Sequence, residues 1–257
     1  MKKIIIGNLK MNLVSPAERE RYLESLKKEI EAKQLKNSEI VVCPPQMHLE
    51  KFIAEAEDEK FSVGVQNLFW EDRGSFTGET SPLMLKNFGI TYCIVGHSER
   101  RRLFGDTDES ANAKIKAALR NNLSPIYCVG ETKEERELGQ TGKSIEKQVL
   151  KGLSEIPLTQ LGKIVIAYEP IWAVGSDLVP KSDEILSVKI MIQKIIAQNY
   201  GPNYVEKIRI VYGGSVNART AKQVCNEPAM DGVLIGRESL IPSEFMKIAE
   251  IIDKHIS

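Results

Sequence analysis

A carboxylate that could act as a base stands where an apolar run of the sequence ends. Residues 164–168 form a strand-like apolar run, and Glu169 follows it directly, before Pro170 and a glycine at position 175. The proline takes the chain out of a strand, and Gly175 lets backbone N–H groups approach a ligand closely. The pattern predicts a general base beside a loop at the C-terminal end of a strand. The alternative is a solvated glutamate that merely ends a strand.

Polar residues follow other apolar runs in the same way, and they include an asparagine, a lysine, a histidine, acidic residues and glycine-rich turns. They are Asn8-Leu9-Lys10, Gly96-His97-Ser98-Glu99, Gly130-Glu131, Gly213-Gly214-Ser215 and Gly236-Arg237. If these runs are parallel strands, their C-terminal ends meet at one mouth. Of the three histidines, only His97 follows such a run, whereas His48 and His255 fall in helical segments and are expected to be structural or surface residues.

The elements that would position these residues are eight short β-rich runs with helix-length amphipathic segments between them. The runs cover residues 4–7, 40–43, 61–65, 92–95, 126–129, 164–168, 208–212 and 232–235. The first helix has clear start signals, because Ser15 offers an N-cap, Pro16 occupies the first helical position and Glu18 suits a capping box. Further helices are expected over 106–119, 182–196 and 242–256. The alternation predicts parallel strands joined by helices.

Eightfold alternation in one chain favours closure, so we expect an α/β protein in which residues 1–257 form one (β/α)₈ barrel. An open doubly wound sheet is the alternative, but its Gly-x-Gly-x-x-Gly fingerprint is absent after the first run. The charge run from Glu131 to Glu137 is expected to be the solvated start of a helix.

Composition excludes several classes of protein. Thirty-five basic and thirty-five acidic residues cancel to a formal charge of +0, and no basic cluster suggests a nucleic-acid surface. The four cysteines are far apart without a Cys-x-x-Cys pair and are expected to be buried thiols, not disulfides or zinc ligands. The apolar run after Met1 is too short for a signal peptide or a membrane span, which predicts a cytoplasmic protein.

Several long motifs, in order along the chain, resemble the signatures of the triosephosphate isomerase family. They are Gly7-Asn8-Leu9-Lys10-Met11-Asn12, Gly96-His97-Ser98-Glu99-Arg100-Arg101, Ala167-Tyr168-Glu169-Pro170-Ile171-Trp172-Ala173-Val174-Gly175 and Tyr212-Gly213-Gly214-Ser215-Val216. The resemblance covers essentially the whole chain. It implies a TIM barrel that interconverts two triose phosphates in glycolysis and gluconeogenesis, without a metal or an organic cofactor.

By this resemblance, Glu169 would move a proton between adjacent carbons, and His97 would act as a neutral electrophile on the carbonyl oxygen. Lys10 would offset the negative charge of the phosphate and of the enediolate oxygen. Each has a plainer alternative: a core histidine for His97 and a surface lysine for Lys10.

A second set of residues would support these three. Asn8 would help to bind the substrate, and Cys128 and Glu99 would be supporting residues. The sequence alone does not separate ion pairing from catalytic support as the role of Glu99. Backbone N–H groups would bind the phosphate at glycines and serines of late loops, with Gly175, Ser215, Gly236 and Arg237 as the candidates.

Two loops would complete the site. Residues 172–180 would form a lid that shields the intermediate from losing phosphate. The segment Gln66-Asn67, followed after a stretch of loop by Gly74-Ser75-Phe76-Thr77-Gly78-Glu79, resembles the protruding loop of the family's dimer. Thr77 would enter the partner's site and steady Lys10 and His97. This implies a homodimer; the alternative is an ordinary surface loop.

The chain departs from the family pattern twice. The lid carries Asp177 through Pro180 in place of the usual glycine, lysine and small residues, which predicts altered lid kinetics. Arg237 stands where a second glycine is usual. If that position needs a positive φ or very close phosphate approach, arginine weakens binding; if not, its guanidinium strengthens it.

Two other functions stay open from the sequence. A Schiff-base aldolase or lyase would need a lysine within a strand, and no run carries an interior one. A barrel kept as a binding or scaffold protein is supported only by the lid and Arg237 changes.

Overall fold

Eight parallel strands, numbered in chain order, close into a barrel in which each strand pairs with the next and β1 pairs with β8. The computed structural model describes residues 1–56, 60–174 and 178–254. The strands are β1 (Lys3–Asn8), β2 (Ser38–Cys43), β3 (Ser62–Val65), β4 (Tyr92–Val95), β5 (Ser124–Val129), β6 (Val165–Tyr168), β7 (Arg209–Tyr212) and β8 (Gly232–Ile235). The predicted alternation and closure are confirmed.

Helices surround this barrel. Within the described ranges the α-helices are α1 (Pro16–Lys33), α2 (Leu49–Glu55), α3 (Pro82–Asn87), α4 (Ser98–Phe104), α5 (Asp108–Arg120), α6 (Lys133–Glu137), α7 (Thr141–Gly152), α8 (Ser182–Tyr200) and α9 (Pro242–Asp253). The short helix α4, directly after β4, was not predicted from the sequence. None of the helices in the described ranges has both the length and the apolar character needed to cross a membrane.

The alternating faces of the strands explain why the runs are continuously apolar. In β1, Ile4 and Ile6 belong to a cluster inside the barrel, whereas Ile5 belongs to the larger core between the strands and the helices. A parallel strand with helices outside and side chains inside has no solvated face. All four cysteines are buried free thiols, as predicted.

The observed caps of the helices differ slightly from those that the sequence signals predicted. Ser15 caps α1, and its Oγ accepts a hydrogen bond from the Glu18 N–H at 3.2 Å. The Glu18 carboxylate accepts from the N–H of Val14 at 2.9 Å, one residue before the position that a standard capping box uses. His48 lies in a 3₁₀ turn as a half-buried residue, while His255 lies outside the described residues.

The prediction for the charge run 131–137 is wrong at its first residue. Helix α6 begins at Lys133, but Glu131 is 0% exposed. Its carboxylate is buried because Tyr168 and Trp172 cover it from the neighbouring segment of the barrel and hydrogen-bond to it. Nothing in the sequence of residues 131–137 indicated that Glu131 is buried.

Candidate active site

The end of β6 places Glu169 inside the mouth of the barrel. Its N–H continues the strand pairing by donating to the carbonyl of Val129 at 2.8 Å. The side chain is 2% exposed, so the alternative of a solvated glutamate is wrong. Its Oε2 accepts a hydrogen bond from the backbone N–H of Ser98 at 2.9 Å. Because Ser98 follows β4, this bond holds the Glu169 carboxylate beside the C-terminal end of that strand.

His97 faces this carboxylate and is the N-cap residue of α4. Its Nδ1 accepts a hydrogen bond from the N–H of Glu99 at 3.2 Å. A ring nitrogen that accepts has no proton, so this contact assigns the proton of the neutral ring to Nε2. Nε2 lies 3.0 Å from Oε1 of Glu169, but the N–H is not aligned on that oxygen, which receives no hydrogen bond. The Nε2–H donor and the Oε1 acceptor therefore lie side by side without a hydrogen bond between them, and Oε1 is buried.

Lys10 brings a positive charge to the same mouth. Its backbone adopts φ +50, and its N–H donates to Oδ1 of Asn8 at 3.1 Å. Nζ lies 2.6 Å from Oε1 of Glu99. Burial would raise the pKa of Glu99, but the hydrogen bond and charge of Lys10 outweigh it, and the pKa of Glu99 lies below its usual value. Glu99 is therefore the ion-pair partner of Lys10.

Gln66 is a positioning residue, although the sequence placed it only at the start of the predicted dimer loop. Its Nε2 donates to the backbone carbonyl of Lys10 at 2.8 Å and to that of Cys43 at 3.0 Å. It stabilises the left-handed backbone at Lys10, a conformation that non-glycine residues adopt rarely. Its position directly after β3 was the one available signal.

The late loops form the other side of the mouth. Ser215 Oγ donates to the carbonyl of Ala173 at 2.8 Å, which joins the loop after β7 to the loop after β6. Arg237 begins a 3₁₀ turn after Gly236 and has no positive φ. The position therefore does not need a positive φ, while the effect of arginine on close phosphate approach stays a prediction. Gly175 lies outside the described residues, as does Asp177.

One cavity of about 670 Å³ joins these groups. It is lined by the predicted residues Asn8, Lys10, His97, Glu169, Ser215, Gly236 and Arg237, and also by Asn12, Gly213, Gly214, Asn217, Arg219, Thr220 and Glu238. In the part of the chain that the structure describes, no group of three or more His, Cys, Asp or Glu side chains is placed to hold a metal ion.

The first turn of the predicted lid is anchored beside this cavity. Trp172 donates its indole N–H to Oε1 of Glu131 at 2.8 Å, and the hydroxyl of Tyr168 bonds to the same oxygen at 3.2 Å. The second oxygen of Glu131 has no hydrogen-bond partner. Burial raises the pKa of Glu131, although these hydrogen bonds act in the opposite direction.

The three predicted supporting residues, Glu99, Thr77 and Cys128, are not among those that line the cavity. Cys128 is buried within β5, where burial and then the charge of Glu169 raise the pKa of its thiol well above the usual value. Thr77 is exposed on the loop between β3 and α3. Neither residue lines the mouth of its own barrel.

Comparison with known proteins agrees with this geometry. A family model described as triosephosphate isomerase matches residues 3–252. The chain is 44% identical to the triosephosphate isomerase of Dictyoglomus thermophilum, over 97% of this chain and 99% of that one. It is 42% identical to that of Alkaliphilus oremlandii, over 96% and 98% of the two chains. It is also 43% identical to that of Clostridium tetani, over 96% and 95%. The chain belongs to the triosephosphate isomerase family.

Proposed function

We propose that this protein interconverts dihydroxyacetone phosphate and D-glyceraldehyde 3-phosphate by proton transfer through an enediolate, with no metal or organic cofactor. The observation that carries the proposal is the pairing of a buried carboxylate with a neutral imidazole. Oε1 of Glu169 and Nε2 of His97 lie 3.0 Å apart without a hydrogen bond between them. An acceptor and a donor thus lie side by side, as the removal of a carbon-bound proton and a hydrogen bond to a carbonyl oxygen require.

Each group has a defined part in this chemistry. Glu169 removes a proton from the carbon next to the carbonyl, the electron pair moves onto the oxygen, and the same carboxyl returns the proton to the neighbouring carbon. His97 donates from Nε2 to the oxygen that gains charge, and the hydroxyl proton of the enediolate moves to that oxygen with the help of this ring, so that the neighbouring oxygen becomes the new carbonyl. Lys10 places a cation at the mouth, where its Nζ pairs with Glu99 and its backbone N–H donates to Oδ1 of Asn8.

The phosphate group is bound on the side of the late loops. We assign it to the backbone N–H groups around Ser215 and Gly236 and to Gly175. Arg237 adds a guanidinium at this side, because it lines the cavity with an unstrained backbone. A lid over residues 172–180 protects the enediolate, which otherwise eliminates phosphate.

The test is steady-state turnover of D-glyceraldehyde 3-phosphate by the purified protein and by Glu169→Asp. The variant withdraws the carboxylate by one methylene, so we expect kcat to fall by about 10²-fold or more. Glu134→Asp, on the exposed face of α6, is the matched control and should turn over like the wild type. Absence of turnover in the wild type, or equal activity in the two variants, would contradict the proposal.

The structure favours this function over a Schiff-base lyase. Such an enzyme needs a lysine inside the barrel near the mouth. Lys3 is the first residue of β1, at the opposite end of the strand from the mouth, and its Nζ bonds to the carbonyl of Met230. A scaffold function finds no support at the site, since Lys10, His97 and Glu169 line one cavity.

Three further expectations belong to the same proposal. The whole chain acts as a single catalytic domain over residues 1–257, it is located in the cytoplasm, and it works as a homodimer. Support for the homodimer is the exposure of several large apolar side chains, among them Met11, Met47 and, next to Thr77 in sequence, Phe76. Thr77 then enters the partner's site and steadies Lys10 and His97.

A further inference from the structure

The turn between β4 and α4 carries two of the contacts that organise the site. His97 presents its ring from this turn, and the N–H of Ser98 donates to Oε2 of Glu169 at 2.9 Å. Gly96, which begins the turn, has φ +69, a conformation that L side chains adopt rarely. A displacement of this turn would therefore move the imidazole ring and the hydrogen bond to the carboxylate together.

Arg101 reaches back from helix α4 to hold this turn. Its Nε donates to the carbonyl of Gly96 at 2.7 Å. A Cβ built on Gly96 would lie 3.0 Å from Nη2 of Arg101 and 3.3 Å from Cε2 of Tyr127. The guanidinium and the Tyr127 ring therefore pack directly against the glycine, which leaves the turn little room to move toward them.

The guanidinium is itself fixed by groups from two other elements. Nη1 donates to Oδ1 of Asp108, in the first turn of α5, at 2.7 Å. Nη2 lies 3.5 Å from the hydroxyl of Tyr127 and 3.4 Å from the carbonyl of Cys128, both in β5, and donates to each. The Arg101 side chain is 17% exposed. The planar fork of arginine allows one buried side chain to serve these partners in a fixed geometry.

We propose that Arg101 is a positioning residue for the active site. It ties the carbonyl of Gly96 to α5 and β5, and the turn then holds the His97 ring and the Ser98 N–H against Glu169. Arg101 is not among the described residues that line the cavity, so its effect passes through the turn. The chemical roles of the residues on the turn rest on the proposed function, whereas the placement of the turn does not.

The test compares three variants. Arg101→Lys keeps the positive charge but loses the planar fork, so one side chain no longer bonds to Gly96 and Asp108 in the same geometry. Asp108→Asn keeps an oxygen for Nη1 and removes the negative charge. Arg102→Lys is the matched control, because Arg102 is the next residue of the same helix and is exposed.

The first measurement is amide hydrogen exchange in ligand-free, ¹⁵N-serine-labelled protein, with Ser98→Ala to assign the Ser98 signal. The buried Ser239 is an internal reference, because its N–H donates to the carbonyl of Gly236 at 3.0 Å after β8, four strands away in the barrel.

Relative to Ser239, we expect the Ser98 amide to exchange about tenfold faster in Arg101→Lys than in the wild type, and about two- to threefold faster in Asp108→Asn. The hydrogen bond from Ser98 to Glu169 then opens more often, because the turn has lost its anchor. Arg102→Lys should change this ratio by less than about twofold.

The second measurement is steady-state turnover of D-glyceraldehyde 3-phosphate. Misplacement of the reacting groups lowers kcat, while the loops after β7 and β8 that are assigned to phosphate binding are unchanged. We therefore expect Arg101→Lys to lower kcat by about 10- to 100-fold with KM within about threefold of the wild type. Asp108→Asn should lower kcat by less than about fivefold, and Arg102→Lys should match the wild type.

Two results would overturn the proposal. One is an Arg101→Lys protein in which exchange at Ser98 rises no more than exchange at Ser239, because Arg101 would then support only global stability. The other is a raised KM with unchanged kcat in Arg101→Lys, which would mean that Arg101 acts on substrate binding. Amide exchange requires neither ligand nor turnover, so it tests the placement of the turn even if the wild type does not isomerise glyceraldehyde 3-phosphate and the proposed function fails.

Discussion

Among single residues, Gly213 controls where the Glu169 carboxylate can lie. A Cβ built on Gly213 would stand 2.9 Å from Cγ of Glu169 and 3.3 Å from the carbonyl oxygen of Tyr168. Contacts this short require one of the groups to move. The absence of a side chain at Gly213 is therefore part of how the base is positioned.

We expect Gly213→Ala to lower kcat by about 10²-fold, because a shift of about 1 Å in a reacting group has effects of that size. The measurement is steady-state turnover together with the thermal unfolding midpoint. Gly162→Ala is the matched control, since its Cβ would meet Lys207 no closer than 3.6 Å. Unchanged kcat in Gly213→Ala would show that the carboxylate does not depend on this space.

At the scale of elements, the segment after β5 supports the first turn of the lid through a buried carboxylate. Burial raises the pKa of Glu131 above its usual 4.5. At pH values between the pKa of Glu131 in the unfolded chain and its higher pKa in the folded protein, the folded protein binds a proton that the unfolded chain has released. Stability therefore falls as the pH rises through that interval.

Glu131→Gln should remove this pH dependence while it keeps an oxygen for Trp172 and Tyr168. We expect the free energy of unfolding of the wild type, minus that of the variant, to decrease as the pH rises from 4.5 and then to become constant. Urea unfolding at a series of pH values measures this difference. A difference that is constant across the series, or that increases with pH, would show that Glu131 is not destabilised in its charged form.

At the scale of the whole molecule, hydrogen bonds join three loops that carry exposed apolar residues, among them Met11, Met47 and Phe76. The loop after β1 meets the turn at 46–48 through His48 and the carbonyl of Leu13, at 2.6 Å. That turn meets the loop before α3 through a hydrogen bond from Gln46 to Thr80. Exposed apolar surface of this kind is typical of an interface.

We expect Met47→Asp to weaken self-association by about 30-fold or more, because it buries a charge in an apolar contact. Met47 is 93% exposed in the single chain. Sedimentation equilibrium measures the association, and kcat should fall with it if Thr77 completes the partner's site. Leu138→Asp, at a residue 70% exposed near α6, is the control. A monomeric wild type, or an intact Met47→Asp dimer, would contradict the homodimer.

The sequence by itself determined the barrel and the set of residues at its mouth. Strands that are apolar on both faces and alternate with amphipathic helices have few ways to bury their surface, and closure into a barrel is one of them. Because parallel strands share one C-terminal edge, Lys10, His97 and Glu169 could be placed together before any contact was known.

Only the tertiary structure decided how those residues interact. The pairing of Lys10 with Glu99, the burial of Glu131 under Trp172 and the close approach of Gly213 to Glu169 all join segments that are distant along the chain. Periodicity reports which face of an element is apolar, but it carries no information about which side chain from another element lies opposite. Such contacts depend on the register and closure of the barrel, and these determine hydrogen bonding, burial and charge at the site.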